Sequence, residues 1–232
     1  MMRMRTGAAL LYAAIVLFPL GAAGQDLSRY RDVPFGSSVA SVAAVTRTGA
    51  DAVKVLHERP SLIQELRWRP QYALGRPAGR VDPAPEITFR FHDDQLFAIT
   101  VVYEARLVDG LTNADIIEAV SAVYGTATLT AAASRGPAQP PPGAINGSTA
   151  IASWQSADYQ FTLMREIYPA TFRLLGVSKE LEPRARAAET EAARLDKQDA
   201  PRREAERVLA EADRRAAAED KTRATNKSEF RP

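Results

Sequence analysis

The sequence predicts an α+β fold: two short helices packed on antiparallel meander strands, followed by a charged C-terminal tail. Three observations carry that prediction. Local signals run in the order helix, strands, helix, strands. The strand runs are short, and the clearest two are joined by a tight turn. Apolar side chains thin out near Ser178, and residues 179–232 carry 14 basic and 13 acidic side chains. Consecutive strands joined by short turns pair antiparallel, which separates this pattern from a parallel α/β one.

The chain begins with a different composition. Arg3 and Arg5 precede the unbroken apolar run Ala8 to Leu20, and Gly21-Ala22-Ala23-Gly24 follows. Basic, apolar and small-residue segments in that order make a secretory signal. The run is shorter than the roughly 20 apolar residues that a membrane helix needs. Residues 1–24 are therefore expected to be cleaved on export to the periplasm or beyond, leaving no stable membrane anchor. The 30 basic and 28 acidic side chains of the full chain then become 28 and 28 without Arg3 and Arg5. A neutral chain lacks the overall field that draws proteins to nucleic acid, so no nucleic-acid partner is expected. There is no cysteine, which excludes disulfides, thiol catalysis, cysteine-ligated zinc and a lipidated N-terminus.

Residues 25–178 are expected to form the body. Ser37 or Ser38 can cap a helix over about 38–47 in which Val39, Val42 and Ala43 share a face, and Gly49 suits its left-handed exit. Val53–Leu56 is a short strand candidate. In Leu62–Arg69, Leu66 and Trp68 alternate with Glu65, Arg67 and Arg69. Glu86–His92 and Leu96–Tyr103 form a hairpin around Asp93-Asp94-Gln95. A three-residue loop would pair Phe91 with Phe97, Phe89 with Ile99 and Ile87 with Val101, keeping apolar partners on one face. A second helix starts at Thr112 or Asn113, where Thr112 and Asp115 match a capping box, and ends at Gly125. Residues 150–155, 159–165 and 171–177 read as three closing strands. The segments 75–85 and 134–148 are Pro/Gly loops.

Each half, 33–108 and 109–178, opens with a capped helix and continues into strands, so a degenerate tandem repeat is expected. Gly36-Ser37-Ser38 and Gly110-Leu111-Thr112 mark the two helix starts. On these residues, the stretch 33–178 resembles small periplasmic α+β modules of the β-lactamase-inhibitor-protein and outer-membrane-assembly-lipoprotein types. The lipoprotein members carry a cysteine that is absent here. The resemblance implies a protein-binding or scaffold role.

Residues 179–232 are rich in Ala, Glu and Arg, which favour helix. Pro183 and Pro201 both stand where a helix can begin. Leu195, Val208 and Leu209 make no heptad seam. The expectation is a solvated helical or disordered tail, with disorder beyond Arg223.

No catalytic, cofactor or metal signature is found. The two histidines, His57 and His92, have acidic neighbours but no second ligand at metal spacing. No nucleophile elbow, phosphate loop or dinucleotide fingerprint occurs. Glu65, Glu104 and Glu118 are the carboxylates considered for acid–base work, and each reads as a surface group. Arg67, Arg69 and Arg90 point away from the apolar faces of their strands and form the candidate partner-binding face. The function expected is a non-enzymatic module that binds another envelope protein, without a cofactor. The alternatives are a hydrolase with a carboxylate site or a small-ligand binder.

Overall fold

A computed structural model describes residues 26–70, 83–133, 147–167, 170–229 and 231. The leader at 1–24 and most of the loops at 75–85 and 134–148 lie outside them. The fold is α+β. A small hairpin of β1 (Arg29–Tyr30) and β2 (Val33–Pro34) comes first, then α1 (Val39–Thr46). Next come β3 (Val53–His57), β4 (Ile63–Trp68), β5 (Glu86–His92) and β6 (Gln95–Val102). Helix α2 (Asn113–Tyr124) precedes β7 (Thr128–Leu129), β8 (Ser148–Gln155), β9 (Tyr159–Glu166) and β10 (Thr171–Ser178). Helix α3 (Leu181–Glu229) ends the chain.

Strands β3 to β10 form one antiparallel sheet in the order β3-β4-β5-β6-β10-β9-β8-β7. A helix followed by a four-strand meander therefore occurs twice, and the last strands of the two meanders meet at the centre. Both helix starts are built alike. Gly36 (φ 79°) and Gly110 (φ 77°) each stand two residues before an N-cap, in the left-handed region where a side chain is strained. Ser38 accepts a hydrogen bond from the Ser41 amide, and Thr112 and Asp115 form a full capping box. The exit of α1 differs from the glycine ending expected. Arg47, not Gly49, takes the left-handed position (φ 54°), donating its amide to the Ala43 and Ala44 carbonyls.

The β5–β6 hairpin combines a two-residue turn with the favoured apolar register. His92 pairs with Gln95 around Asp93 and Asp94, both left-handed, which aspartate tolerates. A bulge then restores Phe89 opposite Ile99 and Ile87 opposite Val101, while Phe91 faces Leu96 instead of Phe97. The two aspartates also serve the neighbouring elements. The Val39 amide donates to Asp94 Oδ1 at 2.8 Å and the Leu62 amide to Asp93 Oδ1 at 2.9 Å.

One sheet face carries the main core. Ile87, Phe89, Phe91, Phe161, Leu163 and Trp154 pack there with Val42 of α1 and with Ile116, Val120 and Tyr124 of α2. Phe35, next to the β1–β2 hairpin, stacks on Tyr159 at 5.2 Å. Burial pushes the Tyr124 hydroxyl above the usual tyrosine range, helped by Tyr30 and Tyr103. A raised folded-state value keeps this residue's contribution intact below the unfolded value of about 10 and removes it as pH climbs further. Tyr124→Phe is expected to flatten the alkaline fall in stability, as read by denaturant unfolding between about pH 8 and pH 11.

The opposite face is covered by the start of α3, which crosses β10, β6 and β5. Ala185, Ala188 and Ala192 are buried, as are Ile63 and Phe97, outside the main cluster. Ion pairs Arg90–Glu189 and Arg59–Asp199 hold the helix down, with His57 Nδ1 3.6 Å from Asp196 Oδ2. Packing therefore continues past Ser178 and ends near Asp199. Pro183 lies in the first turn, whereas Pro201 stands inside one continuous helix that runs on past Arg223 to Glu229. Pro201 offers no amide to the turn before it. Near this point Arg203 donates to the Asp196 carbonyl at 2.8 Å and to its carboxylate at 3.1 Å.

Candidate functional site

The three arginines singled out by strand phase do not form one continuous face. Arg90 lies under α3, ion-paired with Glu189, and its guanidinium is 5.4 Å from the Phe97 ring. Arg67 and Arg69 stand in the open at the far end of β4. Strand β3 begins opposite Leu66, since Val53 pairs with Leu66. Among the described residues, the β3-side edge of β4 beyond that point therefore has no neighbouring strand, and the turn after α1 folds past it.

The result is an open groove of about 550 Å³ lined by Arg47, Asp51, Lys54, Arg67, Trp68 and Arg69, among others. Lys54 faces Glu65 across the ladder and so shares the sheet face of Arg67. Arg67 gives its Nε to Glu65 Oε1 at 2.7 Å, and Arg69 gives its Nε to Glu86 Oε2 at 2.9 Å. These single contacts orient the guanidinium groups without using their Nη donors. The Trp68 indole nitrogen is buried and has no hydrogen-bond partner among the described residues. Its ring stacks on Phe89 at 6.4 Å, with the Arg31 guanidinium 5.5 Å from its centroid.

The second surface is α3 beyond Asp199. Residues 201–229 are exposed throughout, and 30 residues of helix from Ala200 to Glu229 extend roughly 45 Å. Pairs such as Arg207–Glu204 and Arg215–Glu211 line its sides. Pro201, Ala205, Val208, Leu209 and Ala212 form a shallow apolar strip along it. At 100° per residue, this strip is turned about 140° from the face that Ala185, Ala188 and Ala192 bury. It points away from the body and cannot be an extension of the same packing. Sequence reading missed it because Leu195, Val208 and Leu209 were compared with a heptad; adding the alanines three and four residues from Val208 and Leu209 reveals the strip.

The carboxylates considered for acid–base chemistry are scattered. Glu65 belongs to Arg67, Glu104 lies 3.5 Å from Arg106, and Glu118 is exposed on α2. His92 lies 3.7 Å from Asp93 at the β5–β6 turn. Among the described residues, no group of three or more His, Asp or Glu could hold a metal ion, and no helix is long and apolar enough to cross a membrane. The fold thus defines an α+β sheet protein with a helix projecting from it. Comparison with family models, curated proteins and solved structures gave no match.

Proposed function

We propose that this is a non-enzymatic binding module of the cell envelope, exported by its leader, in which the sheet body holds α3 outward for a partner protein. The observation that carries this reading is the outward apolar strip. Val208 and Leu209 are 53% and 64% exposed on an element that has left the body. A solvated helix gains most of its stability from packing an apolar face. A partner with an apolar groove would take the anchors at 205, 208, 209 and 212 in helix-in-groove fashion.

The double variant V208E/L209E tests the reading. It alters only exposed side chains, so the thermal midpoint is expected to move by no more than about 2 °C. Crosslinking in the protein's own envelope fraction is expected to give a partner adduct with the unaltered chain and none with the variant. An adduct that persists both in the variant and in a chain ending at Asp199 removes α3 as the docking element.

A further inference from the structure

The groove beside β4 shares no residue with the projecting strip, and its chemistry points to a different ligand. Four cationic side chains line it, Arg47, Lys54, Arg67 and Arg69, against the single carboxylate of Asp51. They come from the exit of α1, from β3, from β4 and from the residue just after β4. Glu65 and Glu86 lie beside these groups and offset part of that charge. The charge balance alone is modest, and the geometry decides. Glu65 and Glu86 each take one Nε, and beyond these contacts Arg67 and Arg69 have no other ion pair or hydrogen bond among the described residues. Their Nη atoms remain as donors on a guanidinium already fixed in place. Arg67 stands near the end of β4 and Arg69 just past it, and both line the same groove. Guanidinium forks match the oxygen pairs of phosphates and carboxylates. Lys54, without an ion-pair or hydrogen-bond partner among the described residues, adds a mobile ammonium on the same face. The volume of about 550 Å³ fits a small molecule.

We propose that this groove binds a compact oxyanion carrying two or more negative charges, with Arg67, Arg69 and Lys54 as its principal contacts. An Arg-to-oxyanion contact here needs no rearrangement of the sheet, because the carboxylates at 65 and 86 already orient the forks. The inference stands apart from the role of α3: either surface can fail without the other.

The chain has two tryptophans, which supply the readout. Trp68 lines the groove, whereas Trp154 is buried, donating its indole N–H to the Gly125 carbonyl at 2.8 Å. Inorganic pyrophosphate and citrate, titrated separately into the full chain, distinguish a phosphate source from a polycarboxylate source. The expected result is saturable binding of at least one probe, with a dissociation constant of about 1 mM or tighter. The Trp68 indole proton resonance moves with it and that of Trp154 stays. Lys54→Gln together with Arg69→Gln should weaken binding about tenfold or more. Arg215→Gln, on the projecting helix, should leave it unchanged. Heats that do not saturate, a Trp68 resonance that stays still, or equal losses in the groove and Arg215 variants would each overturn the proposal. The Trp68 readout uses the unaltered chain, so a variant that fails to fold does not rescue the idea.

Discussion

Trp154→Ala is expected to lower the thermal midpoint by roughly 6–20 °C. The side chain is 1% exposed and sits on β8 opposite Phe161. Truncating a buried aromatic costs about 3–5 kcal/mol, because lost burial and the remaining void add together. For a body of this size, each kcal/mol shifts the midpoint by roughly 2–4 °C. The loss extends beyond volume. The indole N–H bonds to the Gly125 carbonyl, and Ser121 Oγ lies 3.3 Å away, so the ring ties the end of α2 to the sheet. Trp154→Phe keeps most of the volume and loses the donor. It is expected to recover more than half of the stability, as measured by calorimetry. Equal losses in the two variants would mean that the void is not the main term.

Gly176→Ala is the second large effect, and it works by crowding instead of loss. Gly176 pairs with Phe161 across β9 and β10. A Cβ at 176 would lie 2.9 Å from Phe161 Cδ1 and 3.0 Å from Cζ, and nearer still to Cε1. The ring has nowhere to retreat. Tyr124 stacks on it at 4.3 Å between centroids, and Phe35 lies 6.0 Å away on a tilt. Overpacking of this kind typically costs about 1–3 kcal/mol, and two blocked sides place this site at the upper end. Phe161→Leu should be harmful alone yet partly restore the Gly176→Ala chain, because the smaller side chain yields the space. Denaturant unfolding of the four chains in that cycle measures the coupling. Strictly additive losses would show that the clash is relieved elsewhere.

Much of the sheet was legible because alternation is a strong local signal. Ile87, Phe89 and Phe91 alternate with Thr88 and Arg90, and burial follows that phase residue by residue. Both helix starts were legible from Ser38, Thr112 and Asp115, since a cap is a contact over three residues. The elements that escaped are those with little local signal. Strand β7 has two residues, both exposed, and is defined only by its pairing with β8. The β1–β2 hairpin is as short and is secured by the burial of Tyr30, Val33 and Phe35. The docked start of α3 was hidden for another reason. Ala185, Ala188 and Ala192 repeat at helical spacing, but alanine is common in solvated helices too, and the surrounding charge masks the stripe. The groove could not be read in advance, because Arg47 and Lys54 join Arg67 and Arg69 only once β3 starts opposite Leu66. Arg90 was read on the right face of its strand, but the helix that covers it lies about a hundred residues further along the chain.

Synthesis runs from the N-terminus, and the helix that roofs the second face of the sheet is made after every strand it covers. Until it arrives, Ile63 and Phe97 on that side have no cover from Ala185, Ala188 and Ala192. A nascent chain halted before residue 192 would present a water-exposed oily plane flanked by Arg90 with no counter-ion, the kind of surface that chaperones recognise and that aggregates when crowded. Arrival of the first turns of α3, more than the closing of any single turn, is therefore what shields this face.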